Sequence, residues 1–246
     1  MSRSCYRARQ AETSSDIEAA QRLRYKAFIA ETGATPRPHG RDADAYDAIC
    51  QHILIEDVGG TLVATFRLLP LTSGEDIARS YSAQYYELDA LKAYDKPMVE
   101  MGRFCVAPGI TDPDILRVAW GAVTSFVDRE GVGLLFGCSS FHGTDTQAYA
   151  DAFAMLKERH LAPRRWLPRI KAPNVFRFTH RLRRAPDRKR ALKTMPPLLR
   201  SYLTMGGWVS DHAVVDTDMN TLHVFTGLEI RAIPPARARA LRAVAG

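Results

Sequence analysis

Glu100 and Arg103 stand three residues apart in "KPMVEMGRFCV", Lys96 to Val106, a run that otherwise reads as a buried strand. A charge inside such a run is expensive unless it is paired or used. In a regular strand the two side chains would point to opposite faces, because the side-chain period is two. Gly102 between them signals a bulge at Met101-Gly102, which adds a residue, flips the parity and lets both face one side. A splayed strand also leaves backbone N–H groups unpaired, where they can polarise an acyl carbonyl. The plain alternative is a buried Glu100–Arg103 ion pair without chemistry.

Other charges could join them. Asp44 and Asp47, in "DADAYD", are spaced for one side of a helical turn, where they could hold a cation; capping of that turn explains them equally well. Arg24 lies beside the apolar stripe of the first helical segment, and Arg67 lies within the apolar run "TLVATFRLLP". Either can grip a carboxylate bidentately or simply answer Asp44, Asp47 and Glu100 in a buried network. Ser139, Ser140 and His142 suggest a Ser–His nucleophile, but no nucleophile elbow surrounds them. "SFHGTD" reads instead as a strand end with Thr144 or Asp145 capping the next helix, while Cys105 and Cys138 read as packing.

The elements that must position these residues follow from pattern. "YRARQAE" is a candidate first strand. Ser15 and Glu18 have capping-box spacing at the head of a helix that closes at Gly33. "QHILIEDV" and "TLVATFRLLP" form a hairpin around Gly59-Gly60. A long loop over 71–95 precedes the charged strand. Asp112 and Pro113 then open a helix ending at Gly131, with Ile115, Val118, Ala119, Ala122, Val123 and Phe126 on its apolar face. "VGLLFGCSS" is a strand, a helix is expected from about Thr144 to His160, and "HAVVDTDMNTLHVFTGLEI" reads as closing strands. The order is β-α-β-β-β-α-β-α.

With 46% hydrophobic and 25% charged residues in 246, the composition is that of an ordinary globular protein. No run approaches the roughly 18 apolar residues of a membrane span, and no secretory signal is visible at the N-terminus. Four cysteines without CxxC spacing point to reduced structural thiols in a cytoplasmic protein and argue against a metal site. The net charge of +7 is uneven: Lys157 to Arg200 holds 15 Lys and Arg against two acids, +13, so the rest of the chain carries −6. Such a patch could face nucleic acid, an anionic membrane or an acidic protein; a merely solvated face is the bland reading.

The element order with an interrupted fourth strand resembles the GNAT acyl-CoA N-acyltransferase fold. This is an α/β (α+β) class, with a mixed central sheet flanked by helices. "LRYKAF", Asp44-x-x-Asp47, "FRLLP" with Arg67 and "VEMGRF" with Glu100 and Arg103 resemble the acyl-homoserine lactone synthases, although "MGRF" replaces their usual Ser before the Arg. "EMGRFCV", "SSFHGTD", "ERHLAP", "MPPLLRSYLTMGGWV" and "DMNTLHVF" resemble a sister family more closely, the bacterial L-ornithine Nα-acyltransferases of ornithine lipid synthesis. That match covers roughly residues 20–230. On this reading residues 1–162 form the acyltransferase core, and 163–246 form a basic extension completing the same domain.

The resemblance implies transfer of a 3-hydroxyacyl group from acyl carrier protein to the α-amine of ornithine. No cofactor is permanently bound, the 4'-phosphopantetheine arriving as part of the donor. Glu100 becomes the candidate base for the amine proton, because burial makes a carboxylate more basic, with Arg103 acting against that. Arg24, Asp44, Asp47, Arg67, Phe28, Phe104 and Ser139 are the implied substrate-binding residues. The basic segment would dock the acidic carrier protein and an anionic membrane. Its interleaved Trp166, Ile170, Val175, Phe176, Phe178 and Leu182 suit either an interfacial surface or a core. The expected place is the inner face of the bacterial cytoplasmic membrane. A lactone synthase or another GNAT acyltransferase is the alternative enzyme. A nucleic-acid binding module is the non-enzymatic one; it lacks a recognisable motif and does not explain Glu100 or Arg67.

Overall fold

The computed structural model describes residues 5–245. Strand β1 (Tyr6–Gln10) leads into helix α1 (Ser14–Phe28). The helix is capped by Thr13 and Asp16 rather than by Ser15 and Glu18: Thr13 accepts from the Asp16 N–H, and Asp16 accepts in return from the Thr13 N–H. Asp16 also holds Arg9 at 2.7 Å, and the cap lies two residues before the expected Ser15. The helix ends at Phe28, five residues before the expected stop at Gly33. Strands β2 (Gln51–Asp57) and β3 (Leu62–Leu71) form the expected hairpin, with Gly60 in the left-handed region that such a turn needs.

Residues 72–97 form short turns and the small strand β4 (Tyr86–Glu87), followed by β5 (Met98–Val106), α2 (Pro113–Glu130) and β6 (Leu134–His142). Asp112 caps α2 by accepting the Asp114 N–H, and left-handed Gly131 ends it. Helix α3 (Ala150–Arg159) starts later than Thr144, because Gly143 is left-handed and Asp145 accepts from the Gln147 N–H, turning the chain first. The remainder comprises β7 (Arg169–Ile170), β8 (Val175–Phe176), α4 (Phe178–Arg181), α5 (Arg188–Thr194), α6 (Pro197–Thr204), β9 (Trp208–Val209), β10 (Ala213–Asp216), β11 (Thr221–Glu229) and α7 (Pro235–Ala245).

The main sheet has the order β1-β2-β3-β5-β6-β11-β10-β8, with β9 also on β11, and β4 pairs β7 apart from it. Among the strand pairs of the described residues, β5 and β6 alone run parallel. Strand β11 pairs β6 along its full length, so the chain beyond residue 162 supplies strands to the middle of the sheet. One face carries Val99, Met101, Phe66 and Leu135 against Trp120, Val123 and Phe126 of α2. The other carries Met98, Leu134, Phe136 and Phe225 under Ile77, Tyr86 and Leu91 of the 72–97 segment. A third cluster joins α3, α6 and the outer strands around Phe153 and Phe178. Each fully buried aliphatic or aromatic side chain contributes about 1.5–3 kcal/mol.

Every Lys and Arg from Arg164 to Arg200 is exposed. Leu192 between them is exposed too, but the apolar residues named from sequence are not: Phe178 is fully buried, Phe176 and Leu182 pack on the third cluster, Trp166 and Val175 on the second, and Ile170 is half-buried in β7. They are core, so an apolar membrane-facing surface is not built from them. Among the described residues no helix is long and apolar enough to cross a membrane.

Candidate active site

The β5–β6 ladder consists of Met98↔Leu134, Val99↔Leu135 and Glu100↔Phe136, and then stops, although both strands continue. Gly137 marks the parting point. A Cβ there would lie 2.3 Å from the Met101 carbonyl oxygen, so only glycine lets the backbones approach before they diverge. The facing strand edges beyond this point carry no ladder to each other, leaving backbone polar groups turned into the gap.

The bulge lies later than Met101-Gly102. Arg67 opposes Gly102 and Thr65 opposes Cys105, so Arg103 and Phe104 together face Phe66. Arg103 is left-handed, φ 55°, a conformation costing a non-glycine residue on the order of 1 kcal/mol. Its guanidinium is what holds it there. One terminal nitrogen donates to Tyr81 Oη at 3.3 Å and the other to Asp44 Oδ2 at 3.3 Å. Nε lies 3.1 Å from Asp42 Oδ2 as a charge contact without hydrogen-bond alignment, and the plane sits 4.9 Å from the Tyr81 ring centre. The flipped parity puts Arg103 on the face of Glu100 and Phe104 on the face of Met101.

Glu100 and Arg103 do not pair; among the described residues Glu100 is held by the 72–97 segment instead. Oε2 accepts from the Tyr81 N–H at 2.7 Å, while Oε1 accepts from the Ser82 N–H at 2.8 Å and the Ser82 hydroxyl at 2.5 Å. Burial pushes the Glu100 carboxyl above its ordinary range, and the Ser82 and Tyr81 donors and the Arg67 charge oppose this without overturning it.

Behind this wall lies a closed network. Arg24, 1% exposed, grips Asp47 with both terminal nitrogens at 2.8 Å and reaches Asp42 Oδ2 through Nε at 3.1 Å. Arg67 grips Asp44 at 2.6 and 2.8 Å and reaches Asp47 at 2.7 Å. Asp44 and Asp47 also cap their own 3₁₀ turn, Ala45–Ala48, reciprocally. Burial opposes ionisation of Asp47, yet the Arg24 hydrogen bonds and charge hold it well below the usual carboxylate range. Asp42, not singled out from sequence, completes the set.

A cleft of about 1010 Å³ runs through the gap. Glu100, Arg103, Arg67, Phe28, Phe104 and Ser139 line it, whereas Arg24, Asp44 and Asp47 do not. Its Glu100 side is polar and aromatic, with Tyr81, Cys138, His223 and Asp216; its Met101 side is apolar, with Phe104, Val106, Ile110, Leu116 and Leu198. Ser139 Oγ accepts from the Thr226 hydroxyl at 2.9 Å, which leaves the Ser139 proton free to donate. Burial pushes the Cys138 thiol up to about 12, which makes it a poor nucleophile. Arg200 and Arg237 also line the cleft. Tyr81, Ser82, Asp216 and His223 were not picked out by sequence reasoning.

The Acetyltransferase (GNAT) domain family matches residues 23–121. The chain is 33% identical to an L-ornithine N(alpha)-acyltransferase of Rhodobacter capsulatus over 93% of this chain and 91% of that protein. It is 32% identical to the protein of the same name from Brucella abortus, over 92% and 84%. A solved CoA-dependent acyl-homoserine lactone synthase shares the fold, with TM-score 0.52 and 15% identity over 97% of this chain and 88% of that one. Similarity that runs through nine-tenths of the sequence, on a GNAT acyltransferase fold, shows that the chain is an acyltransferase and belongs to the L-ornithine N(alpha)-acyltransferase family.

Proposed function

We propose that the protein transfers a 3-hydroxyacyl chain from acyl carrier protein to the α-amine of L-ornithine, making lyso-ornithine lipid. The observation that carries this reading is the two-sided cleft: an apolar chamber on one sheet face and a polar, charged chamber on the other, joined where β5 leaves β6. An acyl chain belongs in the first, an amino acid in the second, and the thioester between them. The names of the relatives support ornithine as the acceptor.

The α-ammonium must lose a proton before it has a lone pair. Glu100, raised by burial and lining the polar side, takes that proton directly or through a water. The amine nitrogen then attacks the thioester carbonyl, whose developing oxyanion is polarised by backbone N–H groups of the splayed strand. The C–S bond breaks, the nitrogen sheds its second proton, and the phosphopantetheine sulfur leaves as a thiol. Arg103 is our choice for the acceptor carboxylate. Its side chain is 14% exposed, against 1% for Arg24 and 3% for Arg67. Asp44 and Asp47 spend their oxygens on arginines, so we assign them to positioning Arg67 and Arg103 rather than to the substrate. Phe28 and Phe104 shape the cleft, and the Ser139 hydroxyl faces the donor.

The exposed basic stretch suits docking of an acidic carrier protein, and its charge also suits the anionic inner face of a bacterial membrane. Mass spectrometry of products from purified protein, ornithine and 3-hydroxyacyl carrier protein tests the reading, with acetyl-CoA and S-adenosylmethionine in parallel tubes. Nα-(3-hydroxyacyl)ornithine is expected; a lactone or an acetylated amine would overturn it.

A further inference from the structure

Asp216 and His223 sit on the polar side of the cleft, and no step above uses them. Asp216 ends β10 opposite Thr221, and His223 lies two residues along β11, so the two are diagonal neighbours on one sheet face. Asp216 is 8% exposed. Its carboxylate accepts one hydrogen bond among the described residues, from the Met219 N–H to Oδ1 at 3.0 Å, and no cation pairs with it there. His223 is 3% exposed. Tyr86 donates its only hydroxyl proton to the His223 carbonyl at 2.8 Å, and its oxygen lies 3.1 Å from His223 Nδ1. Nδ1 is therefore the donor, and Nε2 keeps a bare lone pair that finds no partner among the described residues. Burial, with the charges of His212 and Arg103, pushes His223 down to about 3, so the ring stays neutral.

A buried carboxylate and a neutral ring nitrogen at diagonal positions on one sheet face form an acceptor-only pair, and an ammonium group, with three donors and one charge, is its complement. The pair lies near the reacting end: the Tyr85 ring centre is 5.0 Å from that of His223 and 5.4 Å from that of Tyr81, whose N–H holds Glu100.

We propose that Asp216 and His223 bind the side-chain ammonium of the acceptor, so that the cleft selects an amino acid carrying a second, distal amine. This rests on the reading in which the α-amine reacts at Glu100. An acceptor with the same carbon skeleton and no distal amine leaves both groups buried and unsatisfied, the situation in which polar sites discriminate most strongly.

The test compares L-ornithine with L-norvaline as acceptors for the full chain with one acyl donor. Wild type should favour ornithine in kcat/KM by about 100-fold, and Asp216→Asn should cut that preference by about 30-fold. His223→Phe should cut it by about 10-fold, with thermal melting confirming the fold of each variant. A preference that survives both substitutions, or a wild type that does not discriminate, overturns the subsite. Calorimetric titration of wild type and of folded Asp216→Asn with each amino acid keeps the test independent of turnover. Tighter binding of ornithine by wild type, with the margin lost in Asp216→Asn, upholds the subsite even if neither amino acid is acylated, a result that would sink the functional reading alone; equal affinities in wild type, or a margin that survives the substitution, overturn the subsite.

Discussion

Replacing Asp47 by Asn perturbs the network on which the site is mounted. Asp47 is buried and accepts four side-chain hydrogen bonds: Arg24 at 2.8 Å on each oxygen, Arg67 at 2.7 Å and Gln21 at 2.9 Å. An amide keeps one acceptor oxygen and turns two N–H groups toward the Arg24 and Gln21 donors. Removing one partner of a buried ion pair typically costs about 3–5 kcal/mol, because the other charge is left uncompensated. For a chain of this length that lowers Tm by about 6–20 °C, readable by calorimetry. The pH dependence has a defined sign. Asp47 has a lowered pKa in the fold, so its contribution is present above the unfolded value of about 4 and is lost as pH falls below it. The gap between wild type and variant should therefore narrow in acid. A variant that melts within about 2 °C of wild type near neutral pH, or a gap that widens below pH 4, would refute the reasoning.

Gly137→Ala should cost about 1–3 kcal/mol and lower turnover at least tenfold, since its Cβ collides with the Met101 carbonyl at the parting of β5 and β6; steady-state kinetics alongside a urea melt will show both. Reversing Arg181, Arg183 and Lys189 to Glu should slow reaction with acyl carrier protein about tenfold at low salt, leave reaction with a small acyl thioester unchanged, and lose its effect as salt rises. Cys138→Ala should keep turnover within about threefold, because direct amine attack needs no thiol; loss of two orders of magnitude would point to a covalent intermediate.

How much of this was legible in the residues depended on which atoms act. Glu100 and Arg103 announced themselves as charges in an apolar strand, and their shared face follows from a bulge. Gly102 pointed to the wrong residues for it, because the left-handed position falls on Arg103, held there by Asp42, Asp44 and Tyr81. The donors that fix Glu100 are largely backbone N–H groups of Tyr81 and Ser82, which leave no side-chain signature in a loop notable only for its Ser and Tyr. Asp42 sat two residues from a pair that already had a helical spacing and so drew no separate notice. The apolar residues of the basic segment were ambiguous because burial depends on α3 and on β9 to β11 arriving from elsewhere in the chain.

The most direct measurement is the pH–rate profile of Glu100→Gln beside wild type, with circular dichroism confirming that the variant folds. The raised carboxyl predicts an acid limb in wild-type kcat/KM above the ordinary value near 4.5, and its loss in the variant together with a fall in kcat of about 10²–10⁴. A folded Glu100→Gln protein with near-normal turnover and an unchanged acid limb would contradict the assignment of Glu100 as the base.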